Sequence, residues 1–263
     1  MAVGVEKVNG IAFADIEKIN GKTDANIEAI NGAGFEAASY GPPEVDATSV
    51  ATYTTTSGSM TCAHTTTSTA GRGLLVGVYE RYDGNLPFPP DDPTGVTYDS
   101  VAMTKLVSQS KSECRLTVWS LIAPNAGTAN IVATQANASD GASAIRAITF
   151  TGVSQGVVRA GSSFHAQYSD SFNAATSISR TLSGGDVDDA NQYFIDFIMW
   201  DGTGSSAQEE GALQTEFPSA PTSDASASYE EVGGDDSITM SWSWTTSTAG
   251  VHITLKTTSD TYS

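Results

Sequence analysis

From Ile238 to Trp244 apolar and hydroxyl side chains alternate without a break, Ile238-Thr-Met-Ser-Trp-Ser-Trp244. A period of two predicts a strand with one buried and one wet face. The same reading predicts strands over 74–79, 95–98, 102–108, 115–122, 129–134, 144–151, 176–182, 193–200 and 251–257, separated by clusters of Gly, Asn, Asp, Pro and Ser. Leu74-Leu-Val-Gly-Val78 and Tyr193-Phe-Ile-Asp-Phe-Ile-Met-Trp200 are more continuously apolar and are expected at the centres of sheets. No long helical pattern competes. About ten strands exceed what one flat open sheet holds without curling or splitting. They are also too short and polar-flanked for a membrane barrel. The expected fold class is all-β, a jelly-roll-like β-sandwich of two packed sheets over residues 51–263.

Ahead of the sandwich a hexapeptide recurs at an 11-residue period: Val5-Glu-Lys-Val-Asn-Gly10, Ile16-Glu-Lys-Ile-Asn-Gly21 and Ile27-Glu-Ala-Ile-Asn-Gly32. Its two apolar positions are three apart, which puts both on one side of a helical turn. Asp15 and Asn26 stand where they can cap such turns, and Gly10, Gly21 and Gly32 where they can close them. A single helical turn is not stable alone. Residues 1–38 are therefore expected to be an anchoring or assembly arm of single helical turns. Val5, Val8, Ile16, Ile19, Ile27 and Ile30 form its apolar face. Residues 39–50, with Gly41-Pro-Pro43, read as a linker. The Ser/Thr/Gly-rich stretch 202–234 reads as a long excursion at the sandwich rim.

Charge narrows the list of partners. Thirty acidic against twelve basic residues give a formal net charge of −18, which opposes binding to nucleic acid or to an anionic membrane. The first residues lack the basic start and apolar stretch of a signal peptide, and nowhere do 18 apolar residues run together. Cys62 and Cys114 have no metal-ligand or C-x-x-C spacing and are expected as buried thiols, with a disulfide left open.

Chemistry finds little support in motifs. His64, His165 and His252 have no metal-ligand spacing. The chain carries no G-x-S-x-G elbow, phosphate loop, dinucleotide fingerprint or H-E-x-x-H helix. The adjacent acidic pairs Asp91/Asp92, Glu209/Glu210 and Glu230/Glu231 fit solvated charge better than the spaced carboxylates of a glycan-degrading enzyme. No catalytic residue and no metal site is expected, and the chain reads as a non-enzyme. Asp186, Asp188, Asp189, Asp235 and Asp236 leave calcium open as a ligand of acidic turns. Tyr82, Trp200 and Tyr229, near loops, are candidate glycan contacts, while Trp119, Trp242 and Trp244 lie in strands and are expected in part in the core.

The segments Gly73-Leu-Leu-Val-Gly-Val78, Thr94-Gly-Val-Thr-Tyr-Asp-Ser-Val-Ala-Met-Thr-Lys105, Val118-Trp-Ser-Leu-Ile-Ala-Pro124 through Val132, and Ala147-Ile-Thr-Phe-Thr-Gly-Val153, together with the Ile-Asn-Gly leader, resemble a module of tailed-phage structural proteins, cyanophages especially. The resemblance implies a virion part assembled in the host cytoplasm: a tail fibre or tail-associated appendage, with a capsid decoration protein or a host-glycan-binding adhesin as the alternatives. It further implies other virion proteins as partners and a homo-oligomer, by fibre habit a trimer. No catalytic set belongs to it.

Overall fold

The computed structural model describes residues 42–54, 58–82, 90–136, 141–153, 164–184, 187, 192–201, 209–218 and 224–257, and the backbone of six dipeptides between residues 7 and 34. Those dipeptides correct the helical expectation. β1 (Lys7–Val8) pairs antiparallel with β2 (Ile11–Ala12), β3 (Lys18–Ile19) with β4 (Lys22–Thr23), and β5 (Ala29–Ile30) with β6 (Ala33–Gly34). The inner partners Val8↔Ile11, Ile19↔Lys22 and Ile30↔Ala33 leave two intervening residues, Asn-Gly in every copy. Asn-Gly is the strongest signal for a two-residue hairpin connection, because both residues tolerate positive φ. That preference outweighs the three-residue apolar spacing. Val5, Ile16, Ile27, Gly10, Gly21 and Gly32 lie outside the described residues, and Val8, Ile19 and Ile30 stand in the paired strands.

The sandwich has three stacked sheets where two were expected. One outer sheet has the order β11 (Val101–Ala102), β10 (Gly95–Tyr98), β14 (Gly127–Thr134), β8 (Ser59–Thr66). The middle sheet runs β12 (Thr104–Lys111), β13 (Cys114–Ile122), β9 (Gly73–Arg81), β15 (Ser143–Thr151), β7 (Glu44–Tyr53). The third runs β16 (Phe164–Ser183), β21 (Ser237–Thr257), β17 (Tyr193–Asp201), β20 (Ala225–Glu231), β19 (Thr215–Glu216), with β18 (Glu209–Glu210) also on β21.

Two hydrophobic cores flank the middle sheet. Leu74, Val76 and Val78 of β9 pack with Met60, Cys62, Val96 and Ile131 of the first sheet. Leu75 and Tyr79 face the other way, onto Ile195, Phe197 and Ile253 of the third. Every residue of β9 and β15 is buried, which is why their sequences do not alternate. Cys62 lies in one core and Cys114 in the other, both as free thiols.

β7 corrects the linker boundary: residues 44–50 pair with β15 in the middle sheet. Likewise β20 lies inside the stretch expected as a rim excursion and pairs with β17 along seven positions. Polar side chains of the middle sheet hold its start. Tyr79 Oη donates to the Ser226 carbonyl at 2.9 Å, Arg146 Nη2 to the Ala225 carbonyl at 2.6 Å, and Arg81 Nη1 lies 2.7 Å from Asp224 Oδ2.

The long ladder of β16 and β21 does not stay in one plane. Its register shifts between Phe172 and Ser177, where Ala174 has φ +42°. Arg180 forms an ion pair with Asp170 of the same strand, although ten residues of straight strand would hold them roughly 33 Å apart. The distal half, residues 177–183 against 237–243, thus folds back as an arm over the outer face of the third sheet. Ile238 and Met240 pack there with Phe194, and Trp242 and Trp244 with Ile198 and Trp200.

Candidate functional site

Beneath the folded arm lies a closed polar network. Asp196 interrupts the apolar run of β17 on the face that looks toward the arm, and its carboxylate meets His252 Nε2 at 2.8 Å and the Thr254 hydroxyl at 2.6 Å. The three residues are all 0% exposed. An Asp-His pair can run acid-base chemistry only where a substrate reaches it, and this one is sealed between the sheet and the arm. Within this fold it pairs the Asp196 carboxylate between two apolar clusters, while His252 Nδ1 has no partner among the described residues. Gln214 ties the layers together: its Oε1 accepts the Ser241 amide of the arm at 2.7 Å, and its Nε2 donates to the Ser228 hydroxyl of the sheet at 2.6 Å.

His64, in the opposite outer sheet, is also buried and bonded, Nδ1 to the Ser49 hydroxyl at 2.9 Å and Nε2 to the Thr149 hydroxyl at 2.6 Å. Burial pushes its pKa down to about 4. The side chain of His165 lies outside the described residues.

Glu80 on β9 is buried and accepts from Gln135 Nε2 through Oε1 at 2.9 Å, with Oε2 unpartnered among the described residues. Burial pushes its pKa up to about 7. Between pH 4.5, its ordinary value, and about 7 the unfolded chain therefore binds fewer protons than the folded one, and stability falls as pH rises. His64 acts in the opposite sense: from pH 6.5 down to about 4 the unfolded chain binds more protons, and stability falls as pH drops. The two offset each other across weakly acidic pH. Glu80→Gln removes one side of that balance. It is expected to raise stability by about 1–3 kcal/mol near pH 8 and to change it little near pH 4.5, read as a shift in the urea midpoint at each pH.

An open groove of about 360 Å³ lies where β19 ends. The β19–β20 ladder stops at Thr215↔Tyr229, because a turn closed by Gln214 N–H donating to the Gly211 carbonyl at 3.0 Å takes the chain away. Past Tyr229, β20 has β17 alone beside it among the described residues. The gap is lined by Tyr193, Tyr229, Leu213, Glu230, Glu231 and Asp235, among others. The two tyrosine rings stand 6.1 Å apart at 59°. Leu213 is 74% exposed, the largest exposure of any large apolar side chain among the described residues. Glu230 is 8% exposed and makes no hydrogen bond or ion pair among the described residues. Burial, followed by the charges of Asp196 and Asp235, pushes its carboxyl up to about 7. Burial and the neighbouring Glu231 raise the Tyr193 phenol to about 12.

Of the sequence candidates for glycan contact, Tyr82 is 2% and Trp200 0% exposed, so both belong to the core. Tyr229 alone of the three lines the groove. Trp119, Trp242 and Trp244 are buried. Asp92 is engaged by Lys105, Arg115 and the Ser108 hydroxyl, which makes this member of the first acidic pair a structural anchor of its segment on β12 and β13. Glu209 pairs with Ser243 in β18, and Asp235 and Asp236 are exposed. Asp186, Asp188 and Asp189 lie outside the described residues. Among the described residues no group of three or more His, Cys, Asp or Glu stands close enough together to hold a metal ion.

Sequence reasoning did not point to Tyr193, Leu213 or Asp196. Asp196 had a signal, a lone charge inside an apolar strand. Tyr193 and Leu213 had none, since the groove depends on where a ladder stops. Comparison with protein-family models, with curated proteins and with solved structures returned no match.

Proposed function

We propose that the chain is a non-enzymatic structural subunit of a bacteriophage particle, a tail fibre or tail-associated appendage docked through its N-terminal repeat and displaying the layered sandwich. The observation that carries this reading is the repeat itself. Three two-residue ladders recur at an 11-residue period ahead of the sandwich, and isolated hairpins of that length are not stable in water. Elements of this kind gain their order from stacking on copies of themselves or on a partner. Symmetric self-association belongs to the same proposal. The buried state of the Asp196–His252 pair and of both thiols fits a scaffold role, because these groups sit away from any substrate.

Replacing Ile16, Ile19, Ile27 and Ile30 together with Ser in the full chain is the test. Incorporation into purified particles, counted by mass spectrometry, is expected to fall at least tenfold while the sandwich keeps its cooperative melting; undiminished incorporation refutes the docking role. The same count in the parent particle separates an appendage, present in low tens, from a capsid decoration protein, present in hundreds. A glycan-binding adhesin is the second reading, favoured by the position of Tyr229 in the groove.

A further inference from the structure

We propose that the free edge of β20 beside Glu231 is a docking site for an extended basic segment of another protein, which joins the third sheet there as a short added strand. The inference is independent of the virion reading.

Antiparallel pairing sends the backbone groups of successive residues to opposite sides of a strand. Along β20 the even-numbered residues turn to β17, and just past its end Val232 N–H still donates to the Gln192 carbonyl at 2.9 Å. The odd-numbered residues turn to β19: Phe217 N–H donates to the Ala227 carbonyl at 2.9 Å, and Thr215 stands opposite Tyr229. The next odd residue is Glu231. Its amide and carbonyl face the side where β19 has ended, and no strand among the described residues pairs with it there. The groove lies along this edge. It takes its lining from both faces of the sheet, Tyr193, Tyr229 and Glu231 from one and Glu230 and Val232 from the other. An open edge is a template for another strand. A cleft reaching both faces suits one, because the side chains of an added strand alternate between them.

Charge selects the occupant. Glu230, Glu231 and Asp235 line the groove, and no basic residue does so among the described residues. A residue of the added strand opposite Glu231 shares its face with the Tyr193 and Tyr229 rings. Arg or Lys at that position meets the Glu231 carboxylate and lays its stem against the rings. The residue beside it emerges on the other face, next to Glu230, where a second cation is favoured as well. Thr215 and the exposed Leu213 bound the groove at one end. The turn closed by Asp235 N–H donating to the Val232 carbonyl at 3.2 Å bounds it at the other, so the added strand is short. A second copy of this chain, at net charge −18, is repelled as a whole, whereas a basic partner is drawn in.

Titrating the full chain with acetyl-Val-Arg-Lys-Val-amide, followed by calorimetry and amide NMR, tests the proposal. Saturable millimolar binding is expected, and hydrogen exchange of the Glu231 amide should slow at least fivefold at saturating peptide. The same peptide N-methylated at Arg and Lys keeps both charges but cannot pair as a strand in either register. Acetyl-Val-Glu-Glu-Val-amide keeps the backbone and reverses the charge. Each is expected to bind at least tenfold more weakly. Glu231→Lys, at an exposed position, is expected to weaken binding of the basic peptide at least fivefold, with the urea midpoint showing that the variant is folded. The two peptide comparisons use the parent chain and stand whatever the stability of the variant. The proposal is overturned if the basic peptide does not saturate, if the N-methylated or the acidic peptide binds as tightly, or if folded Glu231→Lys binds undiminished. It is overturned equally if the Glu231 amide is already protected in the free chain, because the chain itself then holds the edge.

Discussion

Gly250→Ala is expected to lower the unfolding free energy by about 3 kcal/mol or more, the upper range for overpacking a closed core. A Cβ at this position would stand 2.2 Å from the Met199 carbonyl oxygen and 2.5 Å from Cζ of Phe172. The first contact is backbone of the neighbouring strand β17 and cannot retreat without breaking ladder hydrogen bonds. The second belongs to a ring packed 5.3 Å from Trp244. Gly250 lies opposite both Phe172 and Trp200, next to the place where the β16–β21 ladder bends. The substitution thus separates the arm from the sheet at its root. Urea denaturation followed by tryptophan fluorescence measures it, and a loss below about 1 kcal/mol contradicts this account of the bend.

The second large effect is expected at Trp242→Ala, a loss of about 3–5 kcal/mol. Trp242 is buried in the arm, its ring edge-on to Trp200 at 6.3 Å and 82°. Its indole N–H has no partner among the described residues, so the loss comes from packing and the cavity left behind. Amides of 237–243 should lose exchange protection before those of β9 and β15, because the arm is the outermost layer. Equal loss of protection across all sheets would show that the arm and the body unfold as one unit.

Much of the β architecture could be read from alternation and from turn residues. Strands 74–79, 95–98, 115–122, 144–151 and 193–200 lie within observed strands of nearly the same bounds, since apolar runs ended by Gly, Pro or Asp leave little choice. What escaped was burial by small or polar side chains. β20 reads Ala-Ser-Ala-Ser-Tyr-Glu-Glu, too poor in large apolar residues to stand out, yet its alanines fill the inner core and its serines lie under the arm. β7 followed a Pro-Pro pair and was masked by it. The repeat misled for a local reason: a three-residue apolar spacing serves a helical turn and a hairpin alike, and Asn-Gly decides between them. The third layer was hidden because a strand buried on both faces looks the same whichever sheets cover it.

That double burial has a consequence for the two thiols. Cys62 and Cys114 occupy different cores on opposite sides of the middle sheet, and stacked sheets stand about 10 Å apart, beyond the reach of a disulfide. Burial also holds the thiols protonated, at about 11 for Cys62 and about 12 for Cys114, which suppresses the nucleophilic form. The fold of the described residues therefore does not rest on a bond between Cys62 and Cys114.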